Sequence, residues 1–343
     1  MHKKGVLLVN LGSPDSTDNK DIKKYLDEFL MDERVIDMAY WKRFILVKGI
    51  ILNTRPKKTA AAYRKVWWKE GSPLIVLSER FHEKVQENVT IPIALAMRYG
   101  SMSIEKGLKE LEDKGVDEVL LIPLYPHYAM SSYETVEVKT LEIQKQHFPK
   151  INIETFPVFY NKPDYIQAMA NNIKKELGDE KYDYILFSYH GIPERHIYKG
   201  DTTKSHCKLD GSCCNTPSKA HETCYRHQCF ETTKEIAKYL GLKEGTWGNS
   251  FQSRLLRDPW LKPYTDFEFE KLAQNGVKNL IVITPSFVTD CLETLEEIAM
   301  EGKHQFLDAG GKNYKHIPCL NDNQEWVNTV CKWITDWEGK AKI

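Results

Sequence analysis

The sequence predicts an α/β protein made of two similar Rossmann-like lobes, each with a parallel sheet. Three observations carry this. Apolar runs of strand length at 5–10, 91–98, 117–124, 151–158, 182–189, 246–251 and 279–284 alternate with helical periodicity at 75–88, 103–113, 132–147, 163–176, 229–240, 292–302 and 324–337. The two halves also echo one another. Leu8-Val-Asn-Leu-Gly-Ser-Pro14 is matched by Phe187-Ser-Tyr-His-Gly-Ile-Pro193, and Gly115…Pro123…Glu134-Thr-Val-Glu137 by Gly276…Pro285…Glu293-Thr-Leu-Glu296. Finally, 343 residues suffice for one large or two medium domains. The expected division is a first lobe over 1–160, a second over 161–325 and a C-terminal helix over 326–343.

The first strand needs separating from a targeting signal. Met1-His-Lys-Lys4 followed by Val6-Leu-Leu-Val9 imitates one, but the apolar run is short. Gly12-Ser-Pro14 ends it without a small-residue cleavage site. No apolar stretch reaches the length of a bilayer span. The expected location is the cytoplasm, where thiols stay reduced, with peripheral contact to the inner membrane left open. Lys+Arg and Asp+Glu both number 48, so charge gives no reason to expect a nucleic-acid partner.

Residues 24–52 are unusually apolar, from Leu26 and Phe29 through Trp41, Phe44 and Ile45 to Leu52. They read either as a core helix pair or as a partly exposed apolar lip for a greasy ligand or a membrane. Arg55, Lys58, Arg64, Lys65 and Lys69 follow, interleaved with Tyr63, Trp67 and Trp68. Cations and aromatic rings beside an apolar wall suit a flat ligand with an anionic rim.

The run Tyr184-Ile-Leu-Phe187 leads to His190 on a Gly/Pro turn, at the carboxyl end of a strand where α/β folds place ligands. A histidine there is either a hydrogen-bonded core residue or a proton acceptor and metal ligand. On the helix after the strand 279–284, Glu293, Glu297 and Glu301 recur every four residues on one face. That row is either a solvated acidic face or a set of like charges neutralised by a divalent cation.

Between these lies a loop with Cys207, Cys213, Cys214, Cys224 and Cys229, interspersed with His206, His221 and His227. Long irregular loops need something to order them. Grouped reduced thiols suggest an iron–sulfur cluster or zinc, and unliganded thiols are the alternative. No Cys-x2-Cys pair is present to support the usual zinc pattern.

Together these residues resemble ferrochelatases nearly end to end. The resemblance runs through Leu8 to Pro14, Phe29-Leu-Met-Asp-Glu-Arg-Val-Ile36, Gly71-Ser-Pro-Leu74, Met97-Arg-Tyr-Gly100 and Pro123-Leu-Tyr-Pro126. It continues in Ser188-Tyr-His-Gly-Ile-Pro193, Gln252-Ser-Arg254, Pro259-Trp-Leu261 and Asp290-Cys-Leu-Glu-Thr-Leu295. It implies a chelatase fold with a porphyrin in a cleft between the lobes. The implied reaction is insertion of Fe2+ into protoporphyrin IX, giving protohaem and two protons, the last step of haem biosynthesis. It makes His190 and Glu293 the catalytic pair, with Glu297 and Glu301 extending the metal track. It assigns Arg55, Lys58, Tyr63 and Ser72 to the porphyrin propionates, and Ile36, Arg98, Tyr99, Trp260 and Phe287 to the walls. Cys291 departs from animal relatives, which carry a second histidine there. The thiol loop resembles that of bacterial members thought to hold a 2Fe-2S cluster, with Cys207, Cys214, Cys224 and Cys229 as ligands. Coproporphyrin or cobalt as substrate, and a carrier without turnover, are the rival readings.

Overall fold

The computed structural model describes residues 3–255 and 258–339. It comprises two units. Unit 1 contains Met1–Leu124, Met130–Pro157 and Asn321–Ile343, and unit 2 contains Tyr125–Ala129 and Val158–Leu320.

Unit 1 is built on a four-stranded parallel sheet: β1 (Lys4–Gly12), β2 (Ile93–Tyr99), β3 (Glu118–Pro123) and β4 (Asn152–Thr155), in the order β2-β1-β3-β4. The central strand β1 pairs on both edges, Val6 lying opposite Ile93 on one side and Leu120 on the other. Val6, Leu7, Leu8 and Val9 are fully buried. That is why the strand reads as a continuous apolar run, with helices covering both faces. Gly12 ends the strand with φ +107, where a Cβ would stand 2.0 Å from the Tyr99 carbonyl oxygen. Only glycine lets β1 and β2 approach so closely at their tips. The helix Ile104–Asp113 starts on Ser103, whose hydroxyl accepts from the Lys106 N–H.

The C-terminal helix Gln324–Glu338 completes this unit. Trp326 stacks on Phe81 at 5.9 Å and Trp333 on Phe156 at 4.7 Å, and Trp337 Nε1 donates to Glu154. Lys4 Nζ donates to the carbonyls of Trp337 and Glu338. These aromatic contacts bury large apolar area, at about 25 cal/mol per Å2.

Unit 2 repeats the design with β5 (Tyr184–His190), β6 (Trp247–Gln252), β7 (Asn279–Ile283) and β8 (Asn313–His316), in the order β6-β5-β7-β8. The strand order matches that of unit 1, as the echoed motifs predict. β8 is additional to the strands expected. It is a short polar edge strand, Asn-Tyr-Lys-His, whose composition carries no strand signal.

The acidic segment predicted as an α-helix over 292–302 is instead a π-helix, Glu293–Gly302, running into an α-helix, Lys303–Asp308. Two more π segments, Ile45–Ile51 and Met130–Glu134, lie in unit 1. Such segments concentrate at functional sites.

Candidate active site

His190 is the last residue of β5 and lies opposite Gln252 of β6. Its Nδ1 is 2.6 Å from the Gly191 carbonyl oxygen. A carbonyl only accepts, so Nδ1 carries a proton, and in the neutral tautomer that this selects the lone pair is on Nε2. Gly191 allows the turn. A Cβ there would meet the Gln252 carbonyl oxygen at 2.7 Å and the Trp260 ring at 3.2 Å. The ring centroids of Trp260 and Phe287 lie 6.5 and 6.1 Å from that of His190.

Gln252 ties this strand end to the acidic helix, because its Nε2 donates to the Glu293 carbonyl at 3.2 Å. One turn further on, Glu297 accepts from the Ser253 N–H at 2.8 Å and from the Ser253 hydroxyl. Burial raises the Glu297 carboxyl to about 7, with the neighbouring Glu293 charge adding to the rise and the Ser253 hydrogen bonds opposing it. Glu293 and Glu301 are half-buried on the same helix. Unit 2 therefore gathers His190, Trp260, Phe287, Glu293 and Glu297 around the carboxyl ends of β5 and β6. Cys291 is buried beside them, its thiol pushed well up by burial.

The remaining predicted porphyrin contacts belong to unit 1. Arg98 and Tyr99, at the end of β2, both donate to Asp32, which also accepts from Thr135 and from the Arg34 N–H. Burial pushes the Asp32 carboxyl up. The hydrogen bonds from Thr135 and Arg34 and the Arg98 charge outweigh it and leave it below the ordinary value. Ser72 is buried on a pocket of about 270 Å3 shared with Ser13, Trp67, Met97 and Tyr99. Tyr63 is buried edge-on to Trp67, Ile36 is buried, and Arg55 and Lys58 are exposed. Both readings of the 24–52 stretch hold for part of it. Val47, Ile51 and Leu52 are core, whereas Tyr40, Trp41, Phe44, Ile45 and Ile50 are exposed.

In the thiol-rich segment, Cys207, Cys213, Cys214 and Cys224 line one small void with His206 and His221. Cys229 is not on it and lies fully buried next to Tyr225. Burial pushes Cys207 up to about 11, while a hydrogen bond from Cys214 holds Cys224 below the ordinary thiol value.

The sequence profile of the ferrochelatase family matches residues 3–337. The chain belongs to the ferrochelatase family. It is 48% identical over 340 residues to the ferrochelatase of Opitutus terrae, covering 98% of each chain, and 45% identical over 331 residues to that of Pseudomonas paraeruginosa, covering 96% of this chain and 97% of the relative. Among solved structures it resembles SirB from Bacillus subtilis with Fe3+, at 11% identity and a TM-score of 0.54, over 97% of this chain and 95% of that one. A cobalt complex of the sirohydrochlorin chelatase SirB from the same species gives 0.52 at 11% identity, over 97% and 94%. These structures match the chain in fold.

Ferrochelatases are lyases that insert ferrous iron into a porphyrin, the final step of haem biosynthesis. The chain is an enzyme of this kind. Among the described residues no helix is long and apolar enough to cross a membrane.

Sequence reasoning missed Asp32, Gln252, Ser253 and Ser286 as supporting residues. Gln252 and Ser253 stood inside a quoted motif. Their signal was a polar pair at the carboxyl end of a strand, and Ser253 adopts φ +63, which few non-glycine residues do.

Proposed function

We propose that this family member inserts Fe2+ into protoporphyrin IX at a site centred on His190 and Glu293. The supporting observation is Gln252, which pairs with His190 in the sheet and hydrogen-bonds the Glu293 carbonyl. Metalation must remove two pyrrole protons and strip water from the metal. His190 offers the Nε2 lone pair for a proton or for transient contact with iron. Carboxylate and imidazole both suit Fe2+. Glu297, titrating near neutrality, holds or releases a proton beside them. Trp260 and Phe287 supply flat apolar faces for the macrocycle, and Arg55, Lys58, Tyr63 and Ser72 supply partners for its propionates. Unit 1 offers Ile36, Arg98 and Tyr99 as further porphyrin contacts, and on unit 2 Glu301 extends the metal track. General-base catalysis is typically worth about 10²–10⁴-fold. Anaerobic incubation of the His190→Ala protein with Fe2+ and protoporphyrin tests the assignment. Porphyrin binding is expected to persist while haem absorbance fails to develop, and near-wild-type turnover refutes the role.

Two finer features accompany this reading. The converging Cys207, Cys213, Cys214 and Cys224 match the four-thiolate donor set of a 2Fe-2S cluster. Among the described residues no such group is already spaced to grip a single metal ion. A cluster held there would supply one-electron redox capacity. The exposed Tyr40, Trp41, Phe44, Ile45 and Ile50, with Lys42 and Lys48 among them, suit peripheral contact with an anionic membrane on the cytoplasmic side.

A further inference from the structure

β5 overhangs its neighbour. It pairs with β7 only as far as Phe187 opposite Ile283, but with β6 as far as His190 opposite Gln252. On the β7 side the backbone of His190 therefore has no strand partner. Two side chains take that place. The His190 N–H donates to Ser286 Oγ at 3.1 Å, and the Tyr225 hydroxyl donates to the His190 carbonyl at 2.8 Å. Tyr225 is buried and its phenol also hydrogen-bonds Ser286, which links the two caps.

Tyr225 comes from the thiol-rich segment. It follows Cys224, which lines the void, and opens the helix Tyr225–Leu240. The same helical turn is stitched to the loop. Gln228 Nε2 donates to the carbonyls of His221 and Glu222, and its Oε1 accepts from the Tyr128 N–H. His206 and His221 donate to the Cys213 carbonyl, and His227 donates to that of Cys214. The carbonyls of Cys214, His221 and Glu222 and the Tyr225 phenol thus hang on one helical turn.

We propose that Tyr225 is a positioning residue for iron insertion, fixing the strand tip that presents His190 and transmitting the state of the cysteine-rich segment to it. This rests on the reading of His190 as the central base. The physical basis is reach. The phenol has two side-chain torsions, so its hydroxyl position follows the start of its helix. A shift of about 1 Å in a reacting group costs up to about 10²-fold in rate.

Tyr225→Phe removes the hydroxyl and keeps the ring. Turnover is expected to fall about tenfold with the KM for porphyrin unchanged, and the His190 imidazole carbon–proton NMR resonance is expected to move. Ser286→Ala, which leaves Tyr225 in place, is expected to move the same resonance. Cys207→Ser is then introduced into the wild-type and Tyr225→Phe backgrounds. It is expected to shift the His190 resonance in the first and not in the second. Wild-type turnover with an unmoved resonance in Tyr225→Phe overturns the positioning role. An equal Cys207→Ser shift in both backgrounds overturns the transmission. The resonance reports geometry whatever His190 does, whereas His190→Ala turnover reports its role, so the two failures are distinguishable.

Discussion

Ser253 holds the carboxylate of Glu297 through both its backbone N–H and its hydroxyl. Ser253 does this from a left-handed backbone conformation, φ +63. Strain of this kind persists where surrounding contacts hold it, and such sites cluster at functional centres. The arrangement keeps a buried carboxyl in one orientation with its titration raised to about 7.

The raised carboxyl makes stability depend on pH with a definite sign. Between its ordinary value of 4.5 and about 7, the unfolded chain is ionised at Glu297 while the folded chain still holds the proton. The unfolded state then binds fewer protons, so stability falls as pH rises across that window. Urea unfolding from pH 4.5 to 7.5 is expected to show this fall in the wild-type protein and a flatter profile in Glu297→Gln. Identical profiles would refute the shift.

Ser253→Gly separates the hydroxyl from the backbone strain. It relieves φ and keeps the N–H, so thermal stability is expected to hold or rise. Iron insertion is expected to slow because Glu297 loses a donor. Unchanged turnover would show that the hydroxyl contact is dispensable.

The acidic row is expected to be graded. Glu293→Gln lies beside the His190 turn and should nearly abolish turnover. Glu301→Gln, two turns further along, should be milder. Steady-state rates at saturating porphyrin and varied Fe2+ measure both, and equal losses argue against a path along the helix.

Asp32 is the hub of unit 1. Its side chain and that of Arg98 are 5% and 11% exposed, so deleting the acid strands a buried guanidinium. Asp32→Ala is expected to cost about 3–5 kcal/mol in chemical denaturation. A loss below about 1 kcal/mol, the scale of an exposed pair, would mean that the network is not coupled.

The thiols divide by position. Cys213→Ser is expected to abolish any iron–sulfur absorbance of protein purified without oxygen, and Cys229→Ser to retain it. The reverse result would assign the ligand place to Cys229, and iron and sulfide analysis provides the check.

Much of this was legible in the chain because the central strands are apolar on both faces. Val6 to Val9 and Ile185 to Phe187 need no alternation to be recognised. β8 was not legible, because Asn313 to His316 is polar and becomes a strand only by pairing with β7. The π character of Glu293–Gly302 was hidden because residues four apart share a face in either helix type. Asp32 and Arg98 are 66 residues apart, and nothing local in either segment announces their pairing. Cys213 and Cys214 are adjacent, so spacing could not choose between them. The fold sets both on the void and leaves Cys229 buried beside Tyr225.

The packing of Trp326 on Phe81 and Trp333 on Phe156 has a consequence for synthesis. A ribosome releases the helix Gln324–Glu338 only after all of Val158–Leu320 has emerged. The earlier half therefore waits with an open groove until the last helix emerges. In the growing polypeptide that groove stays unfilled until the late helix is translated, which leaves a chaperone an apolar target for most of synthesis.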